Sequence, residues 1–138
     1  MRWLLAGTGV LLLLSVLVLQ QSRAPESEGW IWNDLSRAMS EAEEQKKPVL
    51  INFWTPSCYW CIRMDEVMQD PEVRRVMEEY VLLRVDTSRR GSEQLLRRYR
   101  IYGTPAFVVL SEDGEVLATA TGYMPRDRFL SFLRESLP

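Results

Sequence analysis

The sequence predicts an α/β fold in which a mixed central sheet of about four strands is flanked by helices on both faces. Apolar runs typical of buried strands alternate with helical patterns through the first two-thirds of the folded part. Later, two strand-like runs are joined by Glu112-Asp113-Gly114, which has hairpin-turn chemistry. The first pattern implies parallel pairing and the second implies antiparallel strands beside it. With 138 residues, 46% of them hydrophobic, the chain has room for one domain.

The amino-terminal stretch, residues 1–23, is predicted to be a signal anchor or a signal peptide. Residues 3–19 are almost entirely apolar, and at about 1.5 Å per residue they just reach across a hydrocarbon core. No clean Ala-x-Ala follows, and Pro25 comes directly after Ala24, so we favour an uncleaved anchor over a removed signal. Arg2 precedes the segment, which places the domain outside the cytoplasm by the positive-inside rule. We therefore expect a single-pass protein of the cytoplasmic (inner) membrane, with a secreted or periplasmic form as the alternative.

The folded domain is expected to span residues 30–138, after a short polar linker over residues 24–29. Capping residues and apolar spacing place its helices, and β-branched and aromatic runs place its strands. The tryptophan-rich stretch Trp30–Trp32 is expected to pack on this domain. In chain order, the predicted elements are a helix from Asn33 or Asp34 to about Gln45, a strand over Val49–Trp54, a helix over Ile62–Met68, a helix over about 71–79 capped by Asp70, a strand over Tyr80–Asp86, a helix from Ser92 to about Tyr99, strands over Ala106–Leu110 and Glu115–Gly122, and a helix from Pro125 to about Ser136.

Composition limits the chemistry available to the chain. A formal net charge of -2 gives no electrostatic reason to expect nucleic-acid binding. The basic residues between Arg89 and Arg100 are interpreted as a solvated helix face, with a docking patch for an acidic partner or lipid head groups as the alternative. The chain has no histidine, which excludes Ser-His and Cys-His catalysis and His-ligated metals. We expect a monomer.

Both cysteines of the chain, Cys58 and Cys61, lie where a predicted strand turns into a predicted helix. Cysteines at positions i and i+3 of a first helical turn lie on the same side and can bridge. Cys58 would sit near the helix N-terminus, where free N–H groups and the macrodipole favour a thiolate. Cys61 would lie deeper. These positions suit attack on a substrate disulfide by Cys58, followed by resolution of the mixed disulfide by Cys61.

Other uses of two cysteines remain open at this point. A structural zinc site normally needs four ligands, and the chain has no other Cys or His. Cu(I) can accept two thiolates, so a copper metallochaperone or binding module is possible. An inert core pair or a static disulfide is a further alternative. Thiol–disulfide exchange is the interpretation we favour, with no metal as a resident group.

Residues 30–138 resemble the thioredoxin superfamily. Three features carry the resemblance: the strand Val49–Trp54, the pair Cys58-Tyr59-Trp60-Cys61, and Tyr102-Gly103-Thr104-Pro105 leading into a strand. The wider segment from Lys47 to Val73 is similar to the carboxy-terminal periplasmic domain of DsbD-type disulfide reductases. The resemblance implies a thioredoxin-like fold, thiol–disulfide oxidoreductase activity and no dissociable cofactor. It favours a protein-disulfide reductase, with a disulfide oxidase or isomerase as the alternative.

The resemblance also implies roles for individual residues. Pro105 would be a cis proline beside the active site, and Thr104 would present backbone groups to an extended substrate strand. Trp54 would pack beneath the site. Tyr59 and Trp60, which stand between the cysteines, would form an apolar docking surface for a partner or shield the disulfide. The implied partners are a protein disulfide substrate and a redox partner protein.

One supporting residue departs from the family pattern. Many thioredoxins have a buried aspartate where this chain has Asn52, and an amide cannot ionise to relay the proton of Cys61. This predicts a specialised exchange site rather than a general reductase, and reduction of apocytochrome c before haem attachment, repair of secreted proteins and electron relay from a membrane partner all fit. Asp65 and Glu66, just beyond Cys61, are expected to be helix-surface carboxylates.

Overall fold

The computed structural model describes residues 29–138, which form a five-stranded mixed sheet with helices on both faces. The predicted membrane segment over residues 1–23, and all but the last residue of the linker, lie outside the described residues. Within residues 29–138, none of the helices has the length and apolar character needed to span a bilayer. The strands are β1 (Trp30–Trp32), β2 (Val49–Trp54), β3 (Val81–Asp86), β4 (Ala106–Leu110) and β5 (Val116–Thr121), and the helices are α1 (Leu35–Gln45), α2 (Tyr59–Met68), α3 (Pro71–Met77), α4 (Glu93–Tyr99) and α5 (Arg126–Glu135).

The strand order is β1-β3-β2-β4-β5. β1, β3 and β2 run parallel, whereas β4 pairs antiparallel with β2 and β5 pairs antiparallel with β4. This mixture of parallel and antiparallel pairing confirms the predicted class. The register pairs Phe53 near the end of β2 with Ala106 at the start of β4. The segment before β4 therefore lies beside the segment after β2, which positions the functional site.

The prediction of about four strands was too low by one, because Trp30–Trp32 forms the edge strand β1. It pairs with β3 in the register Trp30↔Leu82 and Trp32↔Arg84. A three-residue run is too short to show strand periodicity in a sequence. Its strand geometry comes from the partner strand, not from a local pattern.

The predicted capping residues cap α1 and α3 but not α4. Asp34 caps α1, accepting a hydrogen bond from the Arg37 N–H at 2.9 Å, and Asp70 caps α3, as expected. Ser92 precedes α4, but its hydroxyl donates to the Thr87 carbonyl at 3.0 Å instead of capping the helix. The helix that carries the cysteine motif begins at Tyr59, three residues before the apolar pattern over Ile62–Met68, and Cys58 is its N-cap, as its expected position near the helix N-terminus indicated.

Two hydrophobic cores fill the two sides of the sheet. Alternation along β2 sends Val49, Ile51 and Phe53 to the core beneath α1 and α4, while Leu50 faces the other core. That second core also receives α2, α3 and α5. Fully burying a side chain such as Leu50 contributes about 1.5–3 kcal/mol. α2 is therefore held to the sheet by core packing along its length: its buried residues are Cys61, Met64 and Met68.

Candidate active site

Cys58 and Cys61 form a disulfide at the start of α2, with their Cα atoms 5.2 Å apart. β2 ends at Trp54, and a short turn leads into the helix. In that turn the Cys58 N–H donates to the Thr55 carbonyl at 3.2 Å. The cysteines therefore lie just beyond the carboxyl end of β2, the central strand of the sheet.

Cys58 is the N-cap residue of α2. Its backbone is extended, with φ -90° and ψ 110°, and its Sγ accepts a hydrogen bond from the Cys61 N–H at 3.1 Å. Free N–H groups of the first helical turn and the helix macrodipole favour negative charge at this position. Cys58 is half-buried, whereas Cys61 is fully buried. The geometry therefore favours a thiolate on the accessible cysteine and shields the second one.

The loop before β4 forms the other side of the site. The Thr104–Pro105 peptide bond is cis, as the resemblance implied. The carbonyl oxygen of Thr104 lies 3.5 Å from Cys58 Sγ. In the disulfide Cys58 has no S–H to donate, so this is a contact; the reduced thiol can donate to the same oxygen. Pro105 is buried, and its carbonyl accepts from the Gly122 N–H at 2.7 Å.

Three aromatic rings, which we call the aromatic surface, extend from the cysteines: Tyr59, Trp60 and Tyr123. Tyr59 and Trp60 are 63% and 53% exposed. Their ring centroids lie 5.1 Å apart, and the Trp60 and Tyr123 centroids lie 5.3 Å apart. Tyr123 was missed by the sequence analysis because it follows β5 and reaches Trp60 only through the pairing of β5 with β4. The rings present apolar area to solvent beside Cys58.

The two residues expected to support the site lie on the α2 side of the sheet. Asn52 is fully buried, and neither its Oδ1 nor its Nδ2 has a hydrogen-bond partner within residues 29–138. The Trp54 ring packs edge-on against Trp32, with centroids 5.6 Å apart. Its Nε1 is also buried without a partner among these residues.

An ion pair between α2 and β3 was not foreseen. Arg84 Nη2 donates to Asp65 Oδ1 at 2.6 Å, and only 10% of the Arg84 side chain is exposed. Asp65 keeps 31% of its side-chain exposure, so it lies partly at the helix surface, as expected, while its carboxylate pairs with the buried arginine. Glu66 does lie at the surface, where it pairs with Arg63 at 3.0 Å. The available signal was an arginine inside the apolar strand Val81–Asp86, where a charge is rarely placed without a partner.

The described residues show no metal cluster, and the cavity beside β1 does not include the disulfide. Across residues 29–138, no group of three or more His, Cys, Asp or Glu side chains is arranged to hold a metal ion. A cavity of about 590 Å³ opens beside β1, and its lining includes Trp30, Asp65 and Arg84 but neither cysteine. The disulfide itself faces the surface formed by Thr104 and the aromatic rings, which suits contact with a polypeptide.

Comparison with known proteins identifies the class. The family model for the thioredoxin-like domain matches residues 35–137, so the chain belongs to the thioredoxin-like family. Curated relatives include the thiol:disulfide interchange protein DsbD of Campylobacter jejuni, 26% identical over 101 residues that cover 71% of this chain and 18% of the relative. The disulfide bond reductase DsbH of Chlamydia pneumoniae is 26% identical over 113 residues, covering 72% of this chain and 68% of DsbH.

A solved structure shows the same fold. The reduced C-terminal domain of Neisseria meningitidis DsbD superposes with a TM-score of 0.67 at 24% identity, covering 77% of this chain and 99% of that domain. The chain thus spans about a fifth of the length of the DsbD relatives it matches and nearly all of their thioredoxin-like domain. These relatives are thiol–disulfide oxidoreductases, and this chain carries a Cys-x-x-Cys pair in Cys58 and Cys61.

Proposed function

We propose that this chain is a protein-disulfide reductase in which Cys58 attacks the substrate and Cys61 resolves the mixed disulfide. The proposal rests on the different positions and exposures of the two sulfurs. Cys58 caps α2 and is accessible, whereas Cys61 is fully buried one turn into the helix. The name of the Chlamydia relative, a disulfide bond reductase, supports the direction of the reaction.

The reaction consists of two exchanges. The Cys58 thiolate attacks one sulfur of the substrate disulfide, forms a mixed disulfide and expels the other sulfur as a thiolate. The Cys61 thiolate then attacks Cys58 Sγ, which restores the Cys58–Cys61 disulfide and releases the second substrate thiolate. Two electrons pass from the dithiol to the substrate, and the two protons of the dithiol end on the substrate thiols. A dithiol partner protein must then reduce the enzyme.

Substrate is proposed to bind as an extended segment across Thr104 and the aromatic surface. The Thr104 carbonyl oxygen lies on the opposite wall, 3.5 Å from Cys58 Sγ, and can accept a hydrogen bond from a substrate backbone. Tyr59 and Trp60 offer exposed apolar area next to it. Apolar residues flanking the substrate cysteine would bury this area, so an aromatic or aliphatic neighbour is the expected preference.

The test is trapping of the mixed disulfide. Reduced Cys61→Ser protein is mixed with a peptide disulfide, and we expect a covalent adduct on Cys58 by mass spectrometry, because no thiol remains to resolve it. Reduced wild type should release both peptide thiols without an adduct. Cys58→Ser is the matched control: its hydroxyl can still cap α2, and the buried Cys61 should form no adduct. Equal adduct levels in both variants would contradict the assigned roles.

The direction of the reaction is measured by equilibrating the wild-type protein in glutathione redox buffers. A reductase is expected to have a reduction potential of about -270 mV. A value of about -120 mV would identify the protein as a disulfide oxidase instead.

We further propose that residues 3–19 tether the domain to the cytoplasmic membrane, with the domain on the periplasmic or outer side. The support is the apolar run itself, whose 17 residues are at the lower limit of the length of a transmembrane helix. In a Gram-negative host, full-length chain should pellet with membranes after alkaline carbonate and be digested by protease added to spheroplasts. A chain of residues 24–138 is the control. Release of full-length chain by carbonate would contradict the tether.

A further inference from the structure

Arg84 is a cation enclosed by the domain. Only 8% of the residue is exposed, and its guanidinium carbon lies 4.6, 5.6 and 5.8 Å from the ring centroids of Trp30, Trp32 and Trp54. Its Nη2 donates to Asp65, and its Nε is buried with no hydrogen-bond partner in the described part of the chain. Removing a charge from water is costly, so one carboxylate and three ring faces must compensate for the lost hydration.

The ion pair joins the two elements that build the redox site. Asp65 lies four residues after Cys61 on α2, so the two side chains share one helix face. Arg84 is the register partner of Asn52 on β2, the strand that delivers Cys58. The pair therefore connects the helix bearing both cysteines to the sheet one turn behind them.

Other charges around α2 are compensated elsewhere. On α2 itself, Arg63 and Glu66 pair with each other at the exposed surface. Behind α2, the carboxylates of Asp70 and Glu72 pair with Arg126.

The cavity that Asp65 and Arg84 line also carries four other charged side chains: Glu41, Lys47, Arg74 and Glu78.

Closer to the cysteines, the remaining neighbours add little charge. On β3, Asp86 accepts hydrogen bonds from Ser88. Thr104 and Pro105, across from Cys58, are uncharged, and Tyr123 contributes a phenol. Asp65 and Arg84 thus form an ion pair between α2 and β3 in which the arginine is buried and the carboxylate is 31% exposed.

We propose that Arg84 is a positioning residue for the redox site: it neutralises Asp65 and fixes α2 on the sheet, so that the Cys58 thiolate stays favoured in the reduced protein. Without Arg84, an uncompensated carboxylate would remain on α2, one helical turn from Cys61 and about two turns from Cys58. A nearby negative charge disfavours a thiolate, and the attacking species is the thiolate. The inference gives Arg84 a part in the proposed exchange reaction without contact with substrate.

The experiment follows alkylation of Cys58 in fully reduced protein by iodoacetamide as a function of pH, with mass spectrometry to locate the modification. Arg84→Met keeps a long apolar side chain against the tryptophans and removes the charge. We expect its alkylation rate at pH 7 to fall by about threefold to tenfold, with the rate profile displaced to higher pH. Asp65→Asn leaves Arg84 uncompensated, so alkylation should accelerate. The double variant should lie within about twofold of wild type, because both charges are absent.

Arg63→Met is the matched control. It removes an exposed cation from the same helix, and its profile should coincide with that of wild type. A merely structural role for Arg84 would lower stability and leave the pH profile in place. An unchanged profile in folded Arg84→Met would overturn the proposal, and if that variant does not fold, an unchanged profile in Asp65→Asn overturns it. Alkylation needs no disulfide substrate, so a failed mixed-disulfide trap with displaced profiles would reject the proposed function and keep this inference.

Discussion

Asn52 is a buried amide beneath the redox site that the protein leaves without a hydrogen-bond partner among residues 29–138. An unpaired buried amide costs about 1–3 kcal/mol. Its register neighbours are Arg84 on β3 and Phe107 on β4. A cation therefore occupies the neighbouring position on one side and an aromatic ring on the other, which makes Asn52 sensitive to a change of charge.

Replacing Asn52 with aspartate tests that environment. Asn52→Asp keeps the shape of the side chain and introduces a carboxyl whose pKa burial should raise. The folded variant then binds its proton more tightly than the unfolded chain does. Its stability relative to wild type should be lower by about 1–3 kcal/mol at pH 8 and should recover as pH falls to 5. Urea unfolding of both proteins at the two pH values measures the difference.

Asn52→Ala provides the control, because it has no titratable group and its stability loss should be the same at both pH values. The opposite trend in Asn52→Asp, with stability rising toward pH 8, would contradict the prediction. That result would mean that the Arg84 guanidinium reaches the new carboxylate and lowers its pKa.

The sequence predicted the positions of some residues of the site and missed others. The placement of Cys58 at the start of a helix and of Cys61 one turn deeper was predicted from local spacing, and the structure has them as an N-cap and a buried first-turn residue. The cis bond before Pro105 was implied by the resemblance alone and is present. Arg84 and Tyr123 were missed because their contacts are made across strands. Tyr123 reaches Trp60 only when β5 pairs with β4, and Arg84 meets Asp65 only when α2 packs on β3.

Among the strands, too, some were predicted from local sequence and one depends on pairing with a distant strand. β2 and β4 were predicted to the residue, since long apolar runs specify a buried strand. β1 has three residues and exists because β3 offers a parallel edge, with Trp30 and Trp32 covering Arg84 from that edge. The contact between the β3 cation and the two β1 indoles thus accounts for a strand that has no periodic pattern in the sequence.

Helix caps show why a residue type alone does not fix a role. Asp70 caps α3 with bonds from the Glu72 and Val73 N–H groups, at 3.0 and 3.2 Å. Ser92 stands in the same position before α4, yet its hydroxyl donates to Thr87. A hydroxyl can donate or accept, and here it donates its hydrogen bond to the nearby loop carbonyl. A carboxylate can only accept, so the aspartates were predicted correctly.

At the scale of the whole molecule, ion pairs join α3 to α5, the two helices that share a hydrophobic core with α2. Arg126 contacts Asp70 and Glu72, and Arg134 contacts Glu72. The cap bond from Val73 and the bond from Arg126 lower the pKa of Asp70 below 3.8. Bonds from Arg134 and Arg126 lower the pKa of Glu72 below 4.5. Both carboxyls are partly exposed to solvent, so each contributes modestly to global stability.

This network predicts how the domain responds to acid. Because the folded pKa values of Asp70 and Glu72 are depressed, their contribution is present above the unfolded values of 3.8 and 4.5 and is lost as pH falls through the folded ones. Arg126→Gln combined with Arg134→Gln should therefore unfold at lower urea concentration than wild type at pH 7, with the gap narrowing below about pH 4. Arg128→Gln, an exposed arginine on the same helix, should match wild type throughout. A gap that stays constant with pH would show that the arginines stabilise the α3–α5 contact by packing rather than by charge.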